Sequence, residues 1–248
     1  MRTGTERKRE DTATVDHDAV SKQMLRGESY LDVLRGLHEW LRPENYLEIG
    51  VYVGSSLVLS GPPTVAVGVD PEPRLLDPPN TVCKIFPMTS DHYFATRDVR
   101  RDIEADSLGV AFIDGLHLFE QALRDFINIE RVSGPTTLAL IHDTFAIDEL
   151  TAEREQKTAF WTGDVWKIVP CLREVRPDLR LFTIPSPPSG VTVVSGLNAN
   201  STVLTERFNE IVSHYGLLPF QHDEVRRKEC AAMASSDWKI ILAAGNGA

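Results

Sequence analysis

The sequence predicts an α/β fold: a doubly wound, mostly parallel sheet of seven strands that ends in an antiparallel hairpin. Three observations predict it. Short apolar runs alternate with longer amphipathic ones through the middle of the chain. The short runs are nearly continuously apolar, as strands covered on both faces require. The last two runs, "DLRLFTI" and "GVTVVSGL", are separated only by "PSPPS", too little for a crossover helix and suited to a hairpin.

The elements follow in order. Residues 1–18 form a polar leader, expected to be disordered or loosely attached. Residues 19–43 form an N-terminal helical segment: Leu31, Leu34, Leu37, Trp40 and Leu41 recur at helical spacing, and Pro43 stops the pattern. The core spans residues 44–198. "YLEIG" is its first strand, and "SSLVLS" is expected to open a helix. "TVAVGVD" and "VCKIFPM" are the second and third strands. "SDHYFATRDVRRDIEA" is helical. "LGVAFIDG" is a fourth strand, "LFEQALRDFINIERV" the helix after it, and "TTLALIHDT" a fifth strand. A long segment then leads to "WTGD", read as a loop closing into a helix capped by Asp164. Pro170, a turn or more inside that helix, predicts a kink. Residues 199–248 form a helical extension. Its Phe208, Ile211, Val212, Leu217, Leu218 and Phe220 are expected to pack on the core or on a second subunit, a homodimer being the commonest closed assembly.

Composition bounds the function. The 248 residues carry a formal net charge of −10, which repels phosphate backbones and argues against a nucleic-acid partner. No apolar run approaches the ~18–20 residues of a membrane helix, and the N-terminus has no signal-peptide core. Cys83, Cys171 and Cys230 are odd in number and widely spaced. A reduced, cytoplasmic protein is the expectation.

"NYLEIGVYVGSSLVLSG" carries the chemistry of the first strand's end. A dinucleotide site wants Gly-x-Gly-x-x-Gly after that strand, but here the pattern is Glu48-x-Gly50-x-x-x-Gly54. A carboxylate beside the turn opposes a pyrophosphate and suits a cationic, phosphate-free cofactor such as S-adenosylmethionine. Asp70 follows Glu48 by 22 residues at the end of strand two, a spacing suited to a ribose-binding acid.

With "LEIGVYVGSS", "VGVD", "FIDGLH" and the terminal hairpin in this order, the sequence resembles the class I S-adenosylmethionine-dependent methyltransferases from about Tyr46 to Gly196. The resemblance implies a Rossmann-like sheet. It implies that Glu48 handles the cofactor's ammonium, directly or through water, that Gly50, Gly54 and Ser55 let the backbone approach it, and that Asp70 takes the ribose. Ser90 and Asp91, within "TSD" after strand three, stand where the family contacts adenine.

The ends of strands four and five supply Asp114 with His117, and His142 with Asp143. Methyl transfer to a hydroxyl needs alignment and removal of the acceptor's proton, by a histidine base, a chelated divalent ion, or both. The cluster resembles that of catechol and caffeoyl-CoA O-methyltransferases and, more closely, the Asp-Gly-x-His and His-Asp pattern of macrocin-type antibiotic-sugar O-methyltransferases. The resemblance implies Asp114 and Asp143 as ligands for Mg²⁺, Asp114 also beside the cofactor, and His117 or His142 as the base. The sequence departs from both groups where "VSGPTT" replaces Lys-Pro-Gly-Gly before strand five, and where the strand-five pair has no amide. Trp161 and Trp166 could floor an acceptor pocket. Arg154 and Lys157 read as a solvated charge face or as contacts to an anionic acceptor.

These readings converge on an O-methyltransferase acting on a small-molecule hydroxyl. The resemblance points to a sugar of a glycosylated natural product. Alternatives are a phenol- or catechol-type acceptor, a non-catalytic binding or assembly protein on the same fold, and an NAD-dependent oxidoreductase, which the glycine spacing opposes.

Overall fold

A computed structural model describes residues 15–231 and Lys239. The leader's residues 1–14 and the tail beyond 231, apart from Lys239, lie outside the described residues. Seven strands run β1 (Asn45–Ile49), β2 (Val65–Asp70), β3 (Val82–Pro87), β4 (Leu108–Ile113), β5 (Ser133–His142), β6 (Arg180–Ile184) and β7 (Val191–Ser195), in the spatial order β3-β2-β1-β4-β5-β7-β6. β1 pairs in parallel with β2 and β4, β2 with β3, and β4 with β5. β7 is antiparallel to both β5 and β6, and the short connection 185–190 joins β6 to β7 as a hairpin.

The order reverses between β1 and β4, so the crevice for a ligand opens at the carboxyl ends of these two strands. Both faces are covered. One carries α2 (Tyr30–Leu41), whose Val33, Leu34 and Leu37 pack with Tyr46, Phe112, Leu140 and Val193. The other carries α3 (Ser90–Thr96), α4 (Val99–Ile103), α5 (Phe119–Arg131) and α6 (Ile168–Val175) over Leu47, Val67, Ala111 and Ile141.

The local departures from expectation have physical causes. The leader ends earlier than residue 18: Asp16 caps α1 (His17–Met24) by accepting from the Ala19 N–H, and His17 is buried. After β1 there is no full helix, only a 3₁₀ turn at Leu57–Leu59, because Gly61-Pro62-Pro63 ends the segment before a second turn can form. Asp164 does not cap its own helix. Its Oδ1 accepts from the Phe119 N–H at the start of α5 (2.8 Å), and its Oδ2 accepts from Arg154 (2.8 Å) and Lys167 (3.1 Å). A 3₁₀ turn at Val165–Lys167 leads into α6, so Pro170 falls in the first α-turn, where its missing N–H costs nothing and no kink is required.

After α7 (Val203–Glu206), α8 (Phe208–Tyr215) buries Ile211 and Tyr215 in the chain's own core, with Phe208, Val212 and Leu218 against it, while Leu217 is exposed. In α9 (Glu224–Ala231), Arg226 pairs with Asp223 and donates to the Thr144 carbonyl (2.6 Å) and the Thr183 hydroxyl (3.1 Å).

Candidate active site

One cavity of about 940 Å³ occupies the crevice at the carboxyl ends of β1, β2, β4 and β5. Its first wall is the loop after β1. Gly50 lines it with φ +87°. A Cβ there would sit 2.0 Å from the Asp114 carbonyl oxygen, so the glycine lets the ends of β1 and β4 touch. Its closest approach is thus to the chain's own backbone, not only to a ligand. Gly54 faces the Leu75 side chain and does not line the cavity. Ser55 and Ser56 do.

Asp70 staples this loop. Its Oδ2 accepts from the Val51 and Tyr52 N–H groups (2.9 and 2.8 Å), and its Oδ1 from the Glu72 N–H (2.7 Å). The carboxylate also lines the cavity, so it is fixed in place with lone-pair capacity to spare.

Glu48 is placed differently from the expectation. It is fully buried and absent from the cavity wall. Strand alternation puts its side chain on the same face as Tyr46, and it accepts from the Tyr46 hydroxyl (2.6 Å) and the Ser56 hydroxyl (2.7 Å). It orients Ser56 from behind. Burial pushes its pKa up to about 8; the two hydroxyl bonds pull it down and the charges of Asp114 and Asp70 add to the rise. The folded state therefore keeps a proton that the unfolded chain releases from pH ~4.5 upward. That stabilisation is complete below pH ~4.5 and is lost as pH rises through about 8. Glu48→Gln is expected to flatten this part of the profile. Urea melts from pH 5 to 8.5 check it; parallel profiles for the two proteins would contradict it.

The second wall starts α3. Thr89, Ser90 and Asp91 line the cavity, and Gln121 of α5 donates to Ser90 Oγ and Asp91 Oδ1 (both 3.1 Å) and lies 3.2 Å from Asp125 Oδ1. Burial pushes the Asp125 pKa up to about 7. Gln121 was not singled out in the sequence; its signal was the Gln–Asp pair four apart on the helix after β4.

The charged cluster sits opposite. Asp114, His117 and Asp143 each offer a donor atom, and these atoms lie within 4.8 Å of one another. Asp143 has φ +57°, a turn that aims its carboxylate back at the end of β4. His117 Nδ1 lies 2.8 Å from the Trp161 carbonyl, which can only accept, so Nδ1 carries a proton. Nε2 is 3.1 Å from Asp143 Oδ2 and 3.9 Å from Asp114 Oδ1. In the neutral tautomer its lone pair points at two carboxylates, an arrangement that a shared cation would satisfy. Two carboxylates and one imidazole fit a hard divalent ion, Mn²⁺ or Mg²⁺. His117, expected as a base, thus stands where a third ligand would.

His142 is 6% exposed. Its Nδ1 is 2.9 Å from Asp114 Oδ1 and its Nε2 is 3.2 Å from Ser189 Oγ. Burial opposes its charged form, but Asp114 and Asp143 outweigh this and raise its pKa to about 9. The Asp114 carboxyl is held below its usual range: burial works against that, and the His142 charge and hydrogen bond overcome it. With both ring nitrogens engaged, His142 is poorly placed as the acceptor's base. The order Asp114–His142–Ser189 resembles a nucleophilic triad, but Ser189 is 1% exposed and an imidazolium cannot take its proton.

The segment joining β5 to α6 closes the site. Gly163, at φ +58°, lies so close to His117 that a Cβ would be 1.8 Å from the His117 carbonyl oxygen. Trp161 lines the cavity and stacks on His117 with ring centres 5.1 Å apart. Trp166 does not reach the cavity; it is buried against Phe220. Arg154 pairs with Glu120 and Asp164, and Lys157 with Glu153, so neither faces the cavity.

No family model and no curated sequence matches this chain. Solved structures do. Cofactor-bound Rv0187 from MTB is 14% identical, with 73% of this chain and 88% of that chain covered and a TM-score of 0.51. The O-methyltransferase TomG from Streptomyces achromogenes, in complex with SAM, is 14% identical over 66% of this chain and 78% of its own, with a TM-score of 0.47. An O-methyltransferase from Bacillus cereus in complex with SAH is 12% identical over 74% and 92%, also at 0.47. The likeness is one of fold: a seven-stranded, Rossmann-like sheet with an antiparallel terminal hairpin, as in class I methyltransferases.

Proposed function

We propose that this chain is an S-adenosylmethionine-dependent O-methyltransferase acting on the hydroxyl of a small, uncharged acceptor, with a sugar hydroxyl of a glycosylated natural product as the leading class. One observation carries the reading. The stapled loop after β1 and the Asp114–His117–Asp143 cluster face each other across a single cavity. The cofactor supplies a methyl group on a sulfonium, and a divalent ion beside it lowers the pKa of a bound hydroxyl.

The chain's residues divide the remaining work. Asp70 holds the β1 loop and presents a carboxylate to the ribose, and Ser90 and Asp91 stand at the adenine side. Asp114, His117 and Asp143 hold the ion, and Trp161 with Tyr30 offers aromatic faces to the acceptor. Alignment at carbon then comes from holding both reactants in one crevice.

Charge favours the acceptor class. The cavity is lined by Asp18, Asp70, Asp91, Asp114 and Asp143, with no Lys or Arg among its described lining residues. A phosphorylated or acyl-CoA acceptor would find no Lys or Arg there to pair with, whereas a sugar needs none. The aromatic faces suit a phenol too, so a phenol-type acceptor is the second reading. No described helix is long and apolar enough to cross a membrane; the three free cysteines, Cys83, Cys171 and Cys230, support our placing the reaction in the reducing cytoplasm.

Calorimetry with S-adenosylhomocysteine and with NAD tests the cofactor. Binding of the first and not the second is expected, and Asp70→Ala is expected to weaken it by about 1.5–3 kcal/mol. NAD binding with no response to S-adenosylhomocysteine would end the methyltransferase reading.

A further inference from the structure

We propose that His142 is a positioning residue, not the base: it clamps the Asp114 carboxylate in its ion-holding orientation and is itself held by Ser189 and Tyr30. The inference rests on the divalent-ion reading above.

Four observations carry it. The hydrogen bond from His142 Nδ1 to Asp114 Oδ1 is 2.9 Å long and needs a proton on Nδ1 whether the ring is neutral or charged. Ser189 Oγ, on the β6–β7 connection, engages Nε2 at 3.2 Å and so occupies the only other ring nitrogen. Tyr30, at the start of α2, lies over the imidazole with ring centres 4.3 Å apart, and Phe112 of β4 approaches it at 5.9 Å. The ring is therefore fixed in tilt, rotation and tautomer by three separate elements. Finally, among the described residues His142 is the one side chain that donates a hydrogen bond to the Asp114 carboxylate, while His117 Nε2 stands farther off at 3.9 Å. Without His142 no described side chain would fix which way that carboxylate points.

The arrangement explains why residues outside the sheet reach the site. Tyr30 donates its N–H to the Pro187 carbonyl (3.0 Å), and Ser21 of α1 donates to the Pro188 carbonyl. The N-terminal helices thereby fix the connection that carries Ser189, and Ser189 fixes His142. The chain of contacts runs from α1 and α2 to a ligand atom without any of these residues touching the ion. Removing a partner that orients a ligand costs about 10–100-fold in metal affinity.

Mn²⁺ is the probe, titrated calorimetrically into the full chain without acceptor. His142→Ala is expected to weaken Mn²⁺ binding about 10–100-fold, with S-adenosylhomocysteine affinity unchanged. His142→Asn, whose amide N–H can stand near the lost Nδ1–H, is expected to recover most of the loss. Ser189→Ala is expected to give a smaller loss of the same sign. Mn²⁺ binding that is unchanged or tighter in His142→Ala overturns the proposal, as does a loss that asparagine does not rescue. A drop in S-adenosylhomocysteine affinity parallel to the Mn²⁺ loss would mark a general structural role and overturns it too. Failure of the wild-type chain to bind Mn²⁺ is a separate result, and removes the divalent-ion reading together with this one.

Discussion

Asp143→Asn is expected to lower methyl-transfer turnover by about 10²–10⁴-fold while S-adenosylhomocysteine affinity stays nearly unchanged. Asp143 is 5% exposed, and its carboxylate faces His117 Nε2 at 3.1 Å and His142 Nδ1 at 3.6 Å. Its polar contacts are with these two histidines and not with the β1 loop or Asp70, so the cofactor side should not register the change. Asparagine is the informative replacement, because the backbone stands at φ +57°, a conformation asparagine adopts more readily than alanine. The shape is kept and one negative charge is removed from the cluster. Chelator should mimic the substitution in the wild-type enzyme, and added Mg²⁺ or Mn²⁺ should reverse the chelator alone. Full turnover in chelator, together with full turnover of the variant, would leave positioning as the whole source of rate and would favour a more acidic acceptor such as a phenol.

Gly163→Ala is expected to destabilise the fold by about 3–5 kcal/mol, since overpacking costs a few kcal/mol and a left-handed alanine adds ~1–2. The added Cβ would lie 1.8 Å from the carbonyl oxygen of His117 and 2.9 Å from its carbonyl carbon. Both are backbone atoms, so no side chain can swing aside. Either the 161–164 loop or the turn bearing His117 must move, and the loop movement would also disturb the Trp161 carbonyl that fixes the His117 tautomer. Gly61→Ala is the control: its Cβ would meet nothing within 4 Å. Equal urea midpoints for the two variants would refute the argument.

The sheet was legible because its strands carry the plainest signal a sequence has. "YLEIG", "VAVGVD", "VAFI" and "LALIH" are short apolar runs with turns between them, and a five-residue connection can only make a hairpin. Much of the charged cluster was legible for the same reason: adjacent parallel strands end at one edge, so Asp114 and Asp143 had to approach each other. The burial of Glu48 was not legible because the motif fixes its position along β1 but not what covers that face, where the Tyr46 and Ser56 hydroxyls bond its carboxylate. The helix expected after β1 ignored how soon Gly61-Pro62-Pro63 follows. Residues 144–167 show neither helical nor strand period, and their two strongest contributions are a backbone carbonyl and a missing Cβ, at Trp161 and Gly163. Side-chain chemistry is what a sequence displays, and neither contribution is a side chain. Tyr30 and Ser189 lie 112 and 47 residues from His142, a separation no local pattern spans.

The small cluster formed by Leu25, Phe145, Ile147 and Cys230, with Val20, Met24 and Phe160 against it, has a consequence for synthesis on the ribosome. It joins α1, the stretch just after Asp143, and α9. A nascent chain that has released β1 to β7 holds the whole sheet, yet the stretch after Asp143 still lacks Cys230 and the Arg226 hydrogen bond to the Thr144 carbonyl. The residues that complete this seat are therefore made after all seven strands. Until residues near 230 emerge, the early-made α1 has only part of its seat.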